Sequence, residues 1–225
     1  MNVAVLEGDL MKIVNELASP PDCPALLTTL LHFETQNTMS DSLSILVQLA
    51  VSMRRHGRGG TLLVVPDGSD DWKQSIVLPI GYAVRPSFAE LATLSSAQPY
   101  DTTDREWIDS VGASVDAIAG LTAVDGATVM THAYEVLAFG AKITRRPGGT
   151  PIEHLVLTEP IEGATATTIH PGQLGGTRHL SAGQFVMDQH DAVALVASQD
   201  GRFTIFAWSP CEDKVYAHRV EALLM

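Results

Sequence analysis

Apolar residues change their spacing along the chain, from a helical repeat in the first part to short runs in the second. Residues 7–17 have apolar positions that predict an amphipathic helix, which ends before Pro20 and Pro21. Asp22 is a candidate cap for a second helix, whose buried side is expected to comprise Leu26, Leu27, Leu30 and Leu31. Residues 1–38 are therefore predicted to form an N-terminal helical extension ahead of a domain that spans residues 39–225.

Three further helices are predicted before residue 122. The first follows a cap at Ser40 or Asp41, and its apolar face is expected to comprise Leu43, Leu46, Ala50 and Met53. Another covers residues 86–94. The third begins at the capping-box pair Thr103 and Glu106, after which the apolar positions are Trp107, Val111, Val115 and Ile118. The last two helices make up a predicted helical insertion at about residues 83–121.

A basic, glycine-rich stretch joins the helix before it to an apolar strand expected at residues 61–65. It reads RRHGRGG over residues 54–60 and lacks the Gly-Lys-Ser/Thr ending of a P-loop. Its order, helix and then strand, is also the reverse of the order in that motif. We interpret it as a connection whose cations complement the dipole at a helix C-terminus.

From residue 126 the chain reads as short apolar runs separated by Gly, Pro and Asp, which is typical of strands. The expected strands cover residues 127–131, 136–143, 154–157, 192–197, 203–208 and 215–218, and residues 75–79 are a further short candidate. One helix, at residues 180–189, interrupts this series. Helices first and consecutive strands later predict a mixed α+β fold of the α/β type, with a central mixed β-sheet flanked by helices.

Net charge and composition limit the possible partners. A net charge of −12 argues against broad binding to DNA or RNA, which needs many Lys and Arg contacts to phosphates. It leaves a single nucleotide open, because charges beyond about 8 Å are screened at physiological salt. No apolar run approaches the roughly 20 residues of a membrane helix, so we expect a cytoplasmic protein without membrane contact. Cys23 and Cys211 lack CxxC spacing and are expected to be ordinary thiols.

The stretch GGTRHLSA, at residues 175–182, is the first candidate site. Gly176 leaves the backbone accessible, Thr177 offers a hydroxyl, and Arg178 offers a planar set of donors suited to phosphate. If a helix begins at Leu180, the N–H groups of its first turn favour an anion at the same place. The alternative is structural: Thr177 caps the helix, Arg178 pairs with a surface carboxylate, and His179 is a polar neighbour.

A second candidate, Asp125-Gly126-Ala127, opens the strand expected at residues 127–131. Asp-Gly is a common turn dipeptide, so a functional role needs a partner, which GGTRH could supply. The histidines lack convincing metal-ligand spacing, namely His154, His170, His179 and His190. Any metal is therefore expected to arrive with a nucleotide, held in part by a carboxylate such as Asp125.

Together these motifs resemble the diadenylate cyclase domain family, and most closely its divergent, sensor-like members. The resemblance rests on Asp125-Gly126-Ala127, on Gly176-Thr177-Arg178-His179, on an apolar strand that ends near Ser198, and on the strand that follows it. A helix that leads into a hydrophobic strand, at residues 43–65, is similar to the opening unit of the family. The resemblance therefore covers about residues 43–208.

The resemblance implies an adenine-nucleotide site with a defined role for each residue. In that family two domains face each other, each with one ATP, and cyclic di-AMP forms when each ribose 3′-hydroxyl attacks the other nucleotide's α-phosphate. Asp125 would hold Mg²⁺ or Mn²⁺ and, with Arg178, would be catalytic. The nucleotide-binding residues would be Gly126, Ala127, Gly176, Thr177, Arg178, His179 and Ser198. Positioning and charge neutralisation are what such a transfer requires.

Two departures from the family pattern bear on catalysis. Leu180 stands where the family usually has a second arginine, and Gln199 stands where a carboxylate is usual, with Asp200 one position later. A charge-assisted contact of a phosphate is worth about 1.5 to 3 kcal/mol, so binding survives such a loss more readily than turnover does. These departures favour a nucleotide sensor with weak or no cyclase activity.

Two other classes stay open. Because the chain has both Asp125 and Arg178, an active diadenylate cyclase that makes cyclic di-AMP from two ATP is the main alternative. The third class is an interaction domain in which the match of the motifs to the family is accidental. A sensor must also report its ligand, so a separate effector protein or a homo-oligomer is an expected partner.

Overall fold

The computed structural model describes residues 3–7, 10–14, 45–96, 104–161 and 164–220. Its helices are α1 (Ile45–Arg55), α2 (Glu90–Ser96), α3 (Arg105–Leu121), α4 (Pro171–Leu174) and α5 (Thr177–Asp188), with a 3-10 helix at Asp71–Ser75. Its strands are β1 (Val3–Glu7), β2 (Leu10–Val14), β3 (Gly60–Val65), β4 (Tyr82–Phe88), β5 (Ala127–Thr131), β6 (Val136–Ala141), β7 (Leu155–Thr158), β8 (Thr167–Ile169), β9 (Val193–Ala197), β10 (Phe203–Ser209) and β11 (Lys214–Arg219).

Nine of the described strands form one sheet, in the order β4-β6-β5-β3-β9-β10-β11-β7-β8. The pairs β3–β5 and β7–β11 are parallel, and the other neighbours are antiparallel. Strands β1 and β2 form a separate antiparallel pair. The fold is thus mixed α+β around a mixed sheet, which confirms the predicted fold class.

Helices cover both faces of the large sheet. Strand β3 shows this directly, because Leu62 and Val64 pack in one core and Leu63 and Val65 in the other. Helices α1 and α3 pack in the first core, and α5 packs in the second. All six residues of β3 are buried, as expected for a continuous apolar strand between two layers.

The strands of the second half confirm the sequence pattern to within two residues at most ends. Short apolar runs between turn residues were a dependable signal there, because central strands are buried on both faces. The connection at residues 54–60 also runs from a helix into a strand, as predicted.

Other elements differ from the prediction. The helix expected at residues 7–17 is wrong, because β1 and β2 form strands there. The helix expected from residue 86 begins at Glu90, and the preceding residues form β4, whose place at the sheet edge tolerates Pro86. The predicted helical insertion therefore contains a strand as well. The boundary at residues 38 and 39, and the helix expected around residues 26–31, lie outside the described residues.

Three local predictions also need correction. The candidate strand at residues 75–79 is not a strand: Ser75 ends the 3-10 helix, and Ile76 forms a single bridge with Ile143. Helix α3 is capped by Asp104, which accepts from the backbone N–H of Glu106. Cys211 is disulfide-bonded, so the expectation of an ordinary thiol is wrong for this residue.

Within the residues described, we find no helix with the length and apolar character needed to cross a membrane.

Candidate functional site

A cavity of about 750 Å³ lies at the end of the sheet where β3 and β5 begin and β9 ends. The start of α5 closes one side of it, and the residue after β6 lies on another. Its lining comprises Thr61, Asp125, Gly126, Ala127, Ala141, Lys142, Ile143, Gly176, Thr177, Arg178, His179, Ser181, Ser198, Gln199 and Asp200. The cavity is therefore built from five separate parts of the chain.

The structure brings all the residues proposed from the sequence to this one cavity. The first motif contributes Asp125, Gly126 and Ala127, the second contributes Gly176, Thr177, Arg178 and His179, and Ser198 follows β9. Their convergence answers the question of whether the two motifs share one place. Their catalytic, nucleotide-binding and metal-binding roles stay predictions.

Helix α5 begins at Thr177, three residues earlier than expected, so the motif lies inside its first turn. Gly176 is the cap residue and has no side chain to satisfy the first N–H groups, which excludes Thr177 as the cap. The carbonyl of Gly176 accepts from the backbone N–H of His179 at 3.1 Å. The N–H groups that open a helix lack partners within the helix and carry a partial positive charge. The cavity thus lies against a helix end that favours an anion.

His179 is a buried residue of the site, with 4% of its surface exposed. Its Nε2 lies 3.5 Å from the Ser198 hydroxyl, and its ring meets Phe206 edge-on. Burial is the main cause that lowers the pKa of His179, and the charge of Arg219 lowers it further. The imidazole is accordingly neutral at neutral pH and can hold or receive a hydrogen bond inside the cavity wall.

Asp125 forms an ion pair that the sequence pattern did not predict. Lys142 Nζ lies 2.7 Å from Asp125 Oδ2, and both side chains are mostly exposed. The pKa of Asp125 is lowered, first by the hydrogen bond from Lys142, then by its charge, and to a smaller extent by Arg178. The carboxylate therefore stays ionised over the physiological range, next to two cations.

The sheet explains why these two residues meet. Ala127 of β5 pairs with Ala141 of β6, so Lys142 lies opposite Gly126, the residue that follows Asp125. A signal for Lys142 was thus present in the sequence, since two apolar runs joined by a short turn predict antiparallel pairing. The turn at residues 132–135 is short enough to join two antiparallel strands.

Arg178 lies beside the glycine-rich connection. A Cβ on Gly59 would be 3.2 Å from Arg178 Nη1, and the φ of Gly59 is +70°, so glycine fits both constraints. Gln199 crosses the same region and donates to the carbonyl of Arg58 at 3.2 Å. In the described part of the chain, Arg178 has no hydrogen bond or ion pair of its own, and its guanidinium is available to a ligand.

The two departures from the family pattern occupy different places. Leu180 is 41% exposed and does not line the cavity, so its side chain changes the outer surface rather than the charge inside. Gln199 and Asp200 do line the cavity. Asp200 also lies 3.5 Å from the guanidinium of Arg202.

A second cavity, also of about 750 Å³, lies at the opposite end of the sheet. Its wall includes Trp72 and a stacked pair, His190 and Trp208, whose ring centroids are 3.7 Å apart. None of the residues proposed from the sequence lines it.

The site and the sheet define a mixed α+β domain with an anion-favouring cavity. No family model matches the chain, and no curated protein matches it. Two solved structures are similar at low levels. A hypothetical membrane spanning protein from Bacillus cereus has 14% identity and a TM-score of 0.44, over 86% of this chain and 70% of that one.

The other structure is a double mutant of DacA from Staphylococcus aureus. It has 14% identity and a TM-score of 0.35, over 80% of this chain and 90% of that one. Both TM-scores are below 0.5.

Proposed function

We propose that this domain binds an adenine nucleotide, ATP or a related purine dinucleotide, in the cavity around Asp125 and Arg178. The observation that supports it is the convergence of two distant motifs, with Ser198, on one cavity. A cavity of about 750 Å³ lies in the size range of small-molecule sites. The choice of adenine comes from the resemblance to diadenylate cyclases.

Phosphate groups are the part of the ligand for which the cavity has the clearest chemistry. Arg178 presents a guanidinium, Lys142 adds a second cation, and the first residues of α5 belong to the same lining. A guanidinium can hold two phosphate oxygens at once, and helix N-termini bind anions through backbone donors. The ligand's anionic end would therefore lie along the start of α5.

We further propose that the domain is a nucleotide sensor with weak or no cyclase activity. Gln199 replaces a carboxylate that the family usually has in this cavity, which removes one candidate group for handling a metal or a proton. A sensor of this kind would report to a separate effector protein or to a second copy of the chain.

An active diadenylate cyclase is the alternative, because Asp125 and Arg178 line the same cavity. It would need two copies that face each other, each with one ATP, and Mg²⁺ or Mn²⁺ held in part by Asp125. The positioning that such a reaction needs is a property of the pair, not of one domain.

Calorimetric titration with ATP tests the binding proposal. We expect binding by the natural chain and a loss of at least about tenfold in Arg178→Ala, which corresponds to about 1.4 kcal/mol. Arg145→Ala is the matched control, since Arg145 is an exposed arginine outside the cavity. Absence of binding to any purine nucleotide would contradict the proposal.

Incubation with ATP and Mg²⁺ or Mn²⁺, followed by chromatography, separates the sensor from the enzyme. Binding without cyclic di-AMP supports the sensor. Product that disappears in Asp125→Asn supports the cyclase. Light scattering with and without ATP then reports whether a second copy is recruited.

Location in the cell is a separate proposal. The sequence favours the cytoplasm, whereas the disulfide at Cys211 is of a kind that persists mainly in oxidising compartments. Mass spectrometry of the protein as purified from cells, with and without reduction, tests whether that bond is present.

A further inference from the structure

The residues around Asp125 do not fit a divalent metal site. Within the described residues, no group of three or more His, Cys, Asp or Glu side chains is arranged to hold a metal ion. Asp125 and Asp200 are the carboxylates in the cavity lining, and each lies beside a cation of the chain: Lys142 at 2.7 Å and Arg202 at 3.5 Å. Mg²⁺ usually needs one or two free carboxylates together with the phosphates of its nucleotide.

The backbone brings Asp125 and Lys142 close to each other. Gly126 has a φ of +114°, and a Cβ there would lie 2.5 Å from the carbonyl carbon of Gly140. This close approach requires glycine at residue 126, because a side chain there would overlap the backbone of Gly140. Asp125 precedes Gly126, and Lys142 lies two residues after Gly140. The ammonium of Lys142 can therefore reach the carboxylate of Asp125.

Lys142 and a divalent ion would compete for the same carboxylate. Two cations held against one carboxylate repel each other, so a metal ion would bind Asp125 less tightly while Lys142 remains paired with it. A phosphate creates no such conflict. It can accept from Lys142 while Asp125 holds the ammonium from the other side, and Arg178 can donate to the remaining phosphate oxygens.

We infer that the cavity binds its phosphate-bearing ligand without a divalent metal ion, and that Lys142 is a specificity-determining residue that supplies the positive charge a metal would otherwise supply. This inference rests on the proposed function and concerns how the same site neutralises phosphate. It also accounts for binding without fast turnover, since a lysine neutralises charge but does not replace a metal as a Lewis acid.

The first measurement is a calorimetric titration of the natural chain with ATP in excess EDTA and again in excess Mg²⁺. We expect dissociation constants in EDTA that are equal to, or lower than, those in Mg²⁺, because free ATP carries the full phosphate charge that Lys142 and Arg178 meet. Binding that appears only with Mg²⁺ overturns the inference and leaves the proposed function intact. Absence of binding in both buffers overturns both.

Variants of Lys142 give the second measurement. Lys142→Met is expected to weaken binding in EDTA by about tenfold, or about 1.4 kcal/mol, and to gain affinity when Mg²⁺ is added, because Asp125 is then released. Lys142→Arg should retain binding in EDTA. Lys142 is 64% exposed at its side chain, so we expect each variant to fold, which circular dichroism checks.

Lys73→Met is the matched control. Lys73 also pairs with an aspartate, Asp70, but it lies outside the cavity. We expect its titrations to match those of the natural chain in both buffers. Equal binding in EDTA by Lys142→Met and Lys73→Met would overturn the role of Lys142.

Discussion

The imidazole of His179 occupies the place where a side chain at Gly175 would begin. A Cβ on Gly175 would overlap Nδ1 of the ring and lie 2.7 Å from Cε1. The φ of Gly175 is 175°, which is extended backbone open to any residue, so the ring and not the backbone requires glycine here.

Gly175→Ala should therefore displace His179 and destabilise the domain by about 1 to 3 kcal/mol, the usual cost of an overpacked interior. Urea unfolding measures the free-energy change. Gly81→Ala is the control, since a Cβ there meets nothing within 4 Å and Gly81 lies outside the helices and the cavity. If the two variants lose the same free energy of unfolding, the His179 ring moves aside without cost and the prediction is contradicted.

A second prediction concerns the close approach of Gly126 to Gly140. Gly126→Ala combines overlap with backbone atoms and a φ of +114°, and it should cost at least about 2 kcal/mol in the free energy of unfolding. Gly201→Ala has a comparable φ of +85° with open space around it, so it should cost only about 1 to 2 kcal/mol. Chemical denaturation of the two variants separates overlap from backbone strain, and a smaller loss in Gly126→Ala would contradict the close contact.

Gly112 offers a stabilising substitution. It lies inside helix α3, and a Cβ there would meet nothing within 4 Å apart from its own helix. Gly112→Ala should raise the free energy of unfolding by about 0.5 to 1 kcal/mol, because glycine loses more backbone entropy in a helix than alanine does. Ala113→Gly, at an exposed neighbour, should lower it by a similar amount. A thermal melt of each variant checks both signs.

The lowered pKa of His179 predicts a loss of stability in mild acid. The unfolded chain takes up a proton near pH 6.5, whereas the buried ring resists it, so unfolding gains protons as the pH falls. Stability due to this residue is present above about pH 6.5 and is lost as the pH falls through the lower pKa of the folded state. Urea midpoints at about pH 8 and about pH 5.5 measure the change.

His179→Gln should show a smaller difference between the two pH values. The difference should not vanish, because the pKa of His56 is also lowered, first by burial and then by the charge of Arg58. His154→Gln, at an exposed histidine, is the control and should match the natural chain. An unchanged difference in His179→Gln would show that this ring does not cause the acid sensitivity.

Sequence patterns predicted the large sheet better than the elements at its margins. Strands β5, β9 and β10 are mostly apolar and almost wholly buried, because burial on two faces leaves little freedom in their composition. At the N-terminus the spacing of apolar residues fitted a helix and a strand equally well. The dipeptide Gly8-Asp9, typical of two-residue hairpin connections, was the signal that favoured strands.

Part of the candidate site was predictable from the sequence, for a different reason. Asp125 and Arg178 belong to compact motifs whose residue types have a recognisable chemistry. Lys142 and Gly59 belong to no motif, and their contribution depends on which strands are neighbours and how closely backbones approach. Such information is tertiary, and a single sequence carries it only through strand pairing.

The direction of the strands has a consequence for locating ligands in this fold. In open α/β sheets, ligands usually lie beyond the carboxyl ends of the parallel strands. Here the parallel strands β3 and β5 begin at the cavity around Asp125, while the far end of β3, at Val65, lines the cavity with Trp72. The rule from topology and the chemistry of the motifs thus indicate opposite ends of the same sheet, and strand direction alone would assign the ligand to the cavity that Arg178 does not line.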